Sequence, residues 1–465
     1  MTTEHDSLRI DQIQLSNFRF FAGLTLDLHP RLNVIVADNG QGKTAVLDAI
    51  ASVLGPFVGA FDEGKDRGFA VDDIRLISAV SGNRMEFASG GTRAEVNGRI
   101  AGQPTCWARS LAGPRSRTTW KESKLVVEWA EALQHAVRSE LDEQANPANL
   151  PLVAYYPTDR LWNIRRLPYR KIPRTSRTVG YTHCLESGSD FHLMADWFRY
   201  WSIASLDRKL TAHQNGEEWT PNEADLALAA IKDSINACLR PSGWGNIQFS
   251  VEKQEIVASH GDFGTLPVGM LSDGIRAILT LTADIAFRAV KLNPHQGAQA
   301  PAQARGIVMV DEIDLHLHPG WQQLILPALT DTFPNIQFIV TTHSPQVLST
   351  VASESIRELR LLPDAPPAHY AGLVPLQELE GVASSQALTN IMHVDPIPPT
   401  ESAHKLSEYR RLIELGRAGG IDGVELRAWL ENHYGADHPV IAECDQLSRI
   451  AALRTRLASK RQGTP

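Results

Sequence analysis

The chain has 465 residues, 43% of them apolar and 21% charged, which is ordinary for folded globular protein and leaves room for two or three compact units. A net charge of −8 and a pI near 6.1 exclude a surface coated with basic groups, so contact with nucleic acid requires a local patch. The start MTTEHDSLRI has no basic region leading into an apolar stretch, and no window approaches about eighteen uninterrupted apolar residues. A cytoplasmic chain with no membrane partner is expected.

In chain order, LRIDQIQLSNFRFF, LTLDLHP and LNVIVAD read as three strands, the last running into a glycine loop and the apolar-periodic helix TAVLDAIASVLG. Short alternating stretches from Asp72 to Val126 read as a small antiparallel lobe, with Asn97-Gly98 as a hairpin turn. A helical stretch from Trp120 to about Glu143, the strand LVAYY, an arginine-rich segment and two long helical patterns follow as a mainly helical insertion. The alternating α/β pattern then resumes, interrupted by KLNPHQGAQAPAQARG, which has the composition of an exposed connection. Proline-rich sequence separates this unit from a helical tail, whose last helix gathers Ile441, Cys444, Leu447, Ile450 and Leu457 on one face. Cys106, Cys184, Cys238 and Cys444 lie far apart without CxxC spacing, which suits neither a disulfide framework nor zinc.

Four segments carry nucleotide chemistry. In ADNGQGKT, Gly40 and Gly42 lack a Cβ, so the backbone can turn its N–H groups onto phosphate oxygens at a helix N-terminus. Asn39, Gly40, Gln41, Gly42, Lys43, Thr44 and Ala45 form the expected ATP loop, with Lys43 reaching the β- and γ-phosphates and the Thr44 hydroxyl on Mg²⁺. The usual first glycine is Ala37, which is expected to stay extended while Gly40 and Gly42 supply the curvature.

GIVMVDE reads as a buried parallel strand that delivers Asp311 as a Mg²⁺ partner and Glu312 as the base for the attacking water. IQFIVTTHSP brings His343 to the same edge, where its ring can sense the γ-phosphate. His316 and His318 in IDLHLHP could bind a metal or belong to a structural or dimer-facing loop. LSDG precedes a helix, so Ser272, Asp273 and Gly274 make either an anion site or an ordinary cap.

The ordered set resembles the ABC-type ATPase heads of the SMC, RecF and OLD group, with NFR early, a phosphate loop, an insertion, LSxG, a DE strand and a switch histidine. The resemblance implies an α/β fold, an ABC-type P-loop ATPase head with an antiparallel β lobe, a helical insertion and a C-terminal helical tail. It places the head in residues 1–117 and 241–360, the insertion in 118–240, a proline-rich connection in 361–400, and a tail for assembly or partner docking in 401–465. It also implies ATP-driven head-to-head dimerisation, in which Ser272 and Gly274 act on ATP held by a second copy. LSDG departs from LSGGQ at Asp273 and Ile275. No glutamine marks the Q-loop near AYYPTDRLW, where Thr158, Asp159 and Arg160 are candidates, and Arg19 either approaches the nucleotide or is a solvated strand-end residue.

The short insertion, DEIDLHLHPGWQ and the tail look most like the PtuA ATPases of Septu and their retron-associated relatives. This implies a sensor and scaffold that holds a separate nuclease, of HNH type, in anti-phage defence. No Toprim-like acidic pattern follows Val351, and no HNH-like cluster is visible. Competing readings are a RecF-like repair protein and, less favoured, a transporter ATPase. The acid-free segment RLWNIRRLPYRKIPRTSR, with Arg165, Arg166, Arg170 and Lys171, is either a DNA or RNA contact or a set of partners for protein acids.

Overall fold

The computed structural model describes residues 7–78, 85–140, 147–158, 176–186, 191–362, 368–395 and 397–462. The strands are β1 (Leu8–Phe18), β2 (Phe21–Asp27), β3 (Leu32–Val36), β4 (Leu76–Ser78), β5 (Met85–Phe87), β6 (Thr92–Ile100), β7 (Gln103–Leu111), β8 (Leu152–Tyr156), β9 (Trp244–Ser250), β10 (Glu255–His260), β11 (Gly264–Pro267), β12 (Gly306–Val310), β13 (Ile336–Thr341), β14 (Ile356–Leu362) and β15 (His369–Leu373). Among the described residues ten of them form one mixed sheet in the order β7-β6-β1-β2-β15-β14-β3-β13-β12-β8. The antiparallel end, β7 to β2, is a locally paired meander, whereas β14, β3, β13, β12 and β8 run parallel.

All residues of β12, β13 and β8 are buried, which is why these segments read as unbroken apolar runs rather than alternating ones. Helix α1 (Lys43–Gly59) is buried along almost its whole length, so it shows no polar face. Helices α2 (Lys124–Ser139), α3 (Phe191–Asn215) and α4 (Glu223–Leu239) carry the helical part of the insertion, and Asn222 caps α4 by accepting from the Asp225 N–H at 3.0 Å. Helix α5 (Asp273–Leu292) is tied to the sheet by a buried cluster: Tyr156 donates its hydroxyl to Asp284 at 2.7 Å, and Arg288 donates to the same carboxylate at 2.7 Å. Arg288 also donates to the Gly180 carbonyl at 2.7 Å, so the buried charges are paired and bonded on several sides.

Four expectations change. The hairpin turn lies at Ala101-Gly102, both at positive φ (51° and 77°), with Ile100 paired to Gln103. Asn97 and Gly98 sit inside β6, where a Cβ on Gly98 would meet the Arg9 carbonyl at 2.2 Å, so close approach of β1 demands the glycine. The loop after α5 is not simply exposed: it forms short helical turns whose Ala300 and Ala304 are buried. The boundary expected at 360 falls within the first compact unit, which runs to Met392, because β15 inserts between β14 and β2. Likewise β8, expected within the insertion, is a strand of the main sheet.

The second compact unit, residues 393–465, holds helices Glu401–Glu414, Ile421–Tyr434 and Pro439–Gln462 around Tyr409, Ile413, Leu430, Ile441 and Cys444. Arg427 braces it through Asp445 at 2.6 Å. Of the apolar face expected on the last helix, Ile441 and Cys444 are buried while Ile450 is exposed. Among the described residues no helix is long and apolar enough to cross a membrane.

Candidate nucleotide site

Four parallel strands, β8, β12, β13 and β3, end on the same edge, and the candidate residues lie just beyond those ends, where open α/β sheets place their ligand crevices. After β3 the chain turns at Gly40 (φ 78°) and Gly42 (φ 83°), while Ala37 takes no positive φ. A Cβ on Gly42 would strike the Phe20 ring at 2.1 Å, so that glycine is required by space as well as by conformation. Lys43 opens α1, and its ammonium donates to the carbonyls of Ala37 at 2.8 Å and Asp38 at 3.2 Å. Burial pushes its pKa below the ordinary lysine value, against the pull of Asp311, Glu312, Asp38 and Asp314.

Asp311 is the hub. Its Oδ2 accepts from the Thr44 hydroxyl at 2.7 Å and from the Thr158 hydroxyl at 2.8 Å, while its Oδ1 accepts from Thr341 at 2.5 Å. The parallel register explains the Thr341 contact: Val310 pairs with Val340, so the next residue of each strand stands side by side. Thr341 also accepts the Glu312 N–H at 2.7 Å, which fixes the turn out of β12. Glu312 itself takes φ 46°, a left-handed conformation that costs a non-glycine residue about 1–2 kcal/mol.

His343 follows Thr342, whose hydroxyl donates to Asp314 at 2.5 Å. Burial and the charge of Lys43 lower the His343 pKa, although three carboxylates pull the other way. At neutral pH the ring is therefore neutral, with one N–H to offer. Ser344 caps the short helix Pro345–Leu348 and donates to Gln322 at 2.7 Å, tying this loop to the one after β12.

Ser272 occupies the N-cap of α5, yet its side chain makes no capping bond, and Ser272 and Asp273 are exposed. Gly274 packs beneath the His316 carbonyl, 2.8 Å from where a Cβ would stand, so the LSDG and HLH loops touch through a glycine. His316 turns at φ 63°, and His318 accepts from the Gly320 N–H at 3.3 Å as a helix cap. Among the described residues no group of three or more His, Cys, Asp or Glu could hold a metal.

Arg19 is not merely solvated: it pairs with Asp48 at 2.7 Å and Asp73 at 2.9 Å. Arg165, Arg166, Arg170 and Lys171, with Asp159 and Arg160, lie outside the described residues. Arg177, the last arginine of that segment, pairs with Glu140 and donates to the Leu292 carbonyl at 2.9 Å, a structural use. Sequence reasoning singled out His343 in TTHS but gave no role to Thr341 there or to Asp314 in IDLHLHP; a threonine closing an apolar strand beside a DE strand was the available signal.

Residues 12–218 match a family described as AAA domain, and residues 202–349 match one described as AAA domain, putative AbiEii toxin, Type IV TA system. The Retron Ec83 probable ATPase of Escherichia coli is 27% identical, over 95% of this chain and 86% of its own length. Septu protein PtuA of Bacillus thuringiensis is 22% identical, over 49% of this chain and 54% of its own. A solved SMC head, described as bound to the C-winged helix domain of ScpA, is 16% identical over 79% of this chain and 99% of its own, with a TM-score of 0.46. Two AAA-domain families between them span residues 12–349, and with its ordered motifs at one sheet edge the chain is an AAA-domain ATPase similar to retron and Septu ATPases.

Proposed function

We propose that the chain binds and hydrolyses ATP as a slow switch, that two copies close head to head on the nucleotide, and that this state governs a separate HNH-type nuclease in anti-phage defence. The observation that carries the reading is the convergence of the Thr44 and Thr158 hydroxyls on one oxygen of Asp311 beside Lys43. Octahedral Mg²⁺ at about 2.0–2.1 Å puts neighbouring ligand oxygens about 2.9 Å apart, close to the 2.7 Å between Thr44 and Asp311, so these two residues fit the ion. When bound, Mg²⁺ supplies charge to the transferring phosphoryl group. Lys43 exchanges its two carbonyl contacts for phosphate oxygens, Glu312 orients or deprotonates the attacking water, and His343 donates to the γ-phosphate.

The exposed, uncapped start of α5 supports the dimer: its free N–H groups and Ser272 suit phosphates that its own chain does not present. Light scattering tests this. Glu312→Gln should retain ATP and accumulate a dimer, and Ser272→Arg should abolish that dimer; a monomer in both with ATP would sink the assembly. The defence role rests on the kinship with Septu and retron ATPases. Co-expression with the neighbouring nuclease should yield a stable complex, whereas autonomous preference for DNA gaps or ends without a partner would favour the repair reading.

A further inference from the structure

The opposite, N-terminal edge of the same parallel strands bears a second cleft, about 470 Å³ in volume, that the ATPase chemistry does not use. Its lining includes Arg9 from β1, Arg31 from the turn before β3, Arg99 from β6 and Arg305 just before β12, together with Asn335 and Gln337. Four arginines from four separate segments thus line one cleft in a chain whose net charge is −8. One carboxylate, Asp11, lies beside them, 2.8 Å from Arg9 and 3.8 Å from Arg99. Among the described residues Arg31 and Arg305 have no ion pair. Gln337 is already committed, accepting the Ile10 N–H at 3.0 Å and donating to the Ile10 carbonyl at 2.7 Å, so it holds the wall of the cleft.

We propose that this cleft is a phosphate-binding site that takes the sugar-phosphate backbone of a nucleic-acid strand. Four like charges gathered in a concave wall repel one another, and an anion relieves that repulsion. Guanidinium groups match phosphate oxygens in planar, two-pronged pairs. Among the described residues no aromatic side chain lines the cleft, so it offers a base no aromatic platform. That absence favours a backbone read without regard to sequence over a free nucleotide held by its base. The local field already reaches one neighbour: burial lowers the His29 pKa, and the charges of Arg357, Arg31 and Arg9 add to this against the pull of Glu354.

The test uses the full chain and a fluorescently labelled 20-nucleotide single strand, read by anisotropy from 50 to 200 mM salt. Arg31 and Arg305 are replaced because their removal breaks no ion pair, and thermal unfolding is followed in parallel. Arg31→Glu/Arg305→Glu should weaken binding about tenfold or more, and Arg31→Ala/Arg305→Ala should lower the slope of log affinity against log salt by about 1.4, the value for two phosphates of a single strand. Absence of strand binding by the parent, or an unchanged affinity and slope in folded variants, overturns the proposal. The free-nucleotide alternative is read in a Lys43→Ala background with labelled ADP. ADP binding that survives Lys43→Ala and is lost with Arg31→Glu/Arg305→Glu would assign the cleft to a free nucleotide and overturn the strand reading.

Discussion

The two ends of the same parallel strands carry opposite chemistry. At their C-terminal ends Asp311, Glu312 and Asp314 cluster about a single lysine, and threonine hydroxyls hold both oxygens of Asp311 and one of Asp314. At their N-terminal ends four arginines meet with one carboxylate beside them and few bonds among them. The difference teaches that precision and charge are supplied separately. An in-line displacement needs groups fixed to fractions of an ångström, whereas backbone recognition needs only a dense positive wall.

The largest effects should separate the two edges by chemistry. Glu312→Gln should slow ATP turnover about 10²–10⁴-fold while ATP binding persists, and Lys43→Ala should remove both binding and turnover; phosphate release and equilibrium nucleotide binding report the two. Normal turnover in Glu312→Gln would mean another group orients the water. If Lys43→Ala altered the salt slope of strand binding, the two edges would not be independent. Next comes the buried brace between them. Arg288→Leu leaves Asp284 charged inside the protein with the Tyr156 hydroxyl still donating to it, and should cost about 3–5 kcal/mol of stability in a denaturant titration.

A smaller effect belongs to the hydroxyls around Asp311. Thr158→Val should weaken the Mg²⁺ dependence of turnover about 10–100-fold with little change in nucleotide affinity in the absence of the metal. An unchanged metal titration would make Thr158 a packing residue only. The smallest effect is a pH dependence. Because the folded pKa of His343 is lowered, the unfolded chain takes up a proton first as pH falls below about 6.5, so folded stability drops from there until the folded ring titrates too. His343→Gln should flatten that drop in unfolding measurements across the acidic range. A profile identical to the parent would show that the ring's surroundings do not distinguish folded from unfolded.

What could be read from the sequence follows from how each element is buried. Strands enclosed on both faces, such as GIVMV and IQFIVT, are unmistakable as apolar runs, and the acids or threonines that end them inherit a place at the edge. Asn97-Gly98 misleads because a glycine needed for close strand approach looks the same in sequence as one needed for a turn. β15 hides in proline-rich sequence because five residues between linker-like flanks give too little periodicity to count. The arginine cleft was not legible at all: its four members stand far apart in the chain, and only the sheet order brings them together.

That sheet order also sets a timetable for synthesis. Strand β3, which launches the phosphate loop, ends at Val36, but both its neighbours, β13 and β14, begin only at Ile336 and Ile356. At ~5–20 residues per second a ribosome needs on the order of half a minute between them. Throughout that interval β3 has neither partner, and the apolar surface of α1 lacks its finished cover. A truncated product therefore cannot assemble the nucleotide site, so the position of one strand makes ATP binding a test of whether the head has been translated to its end.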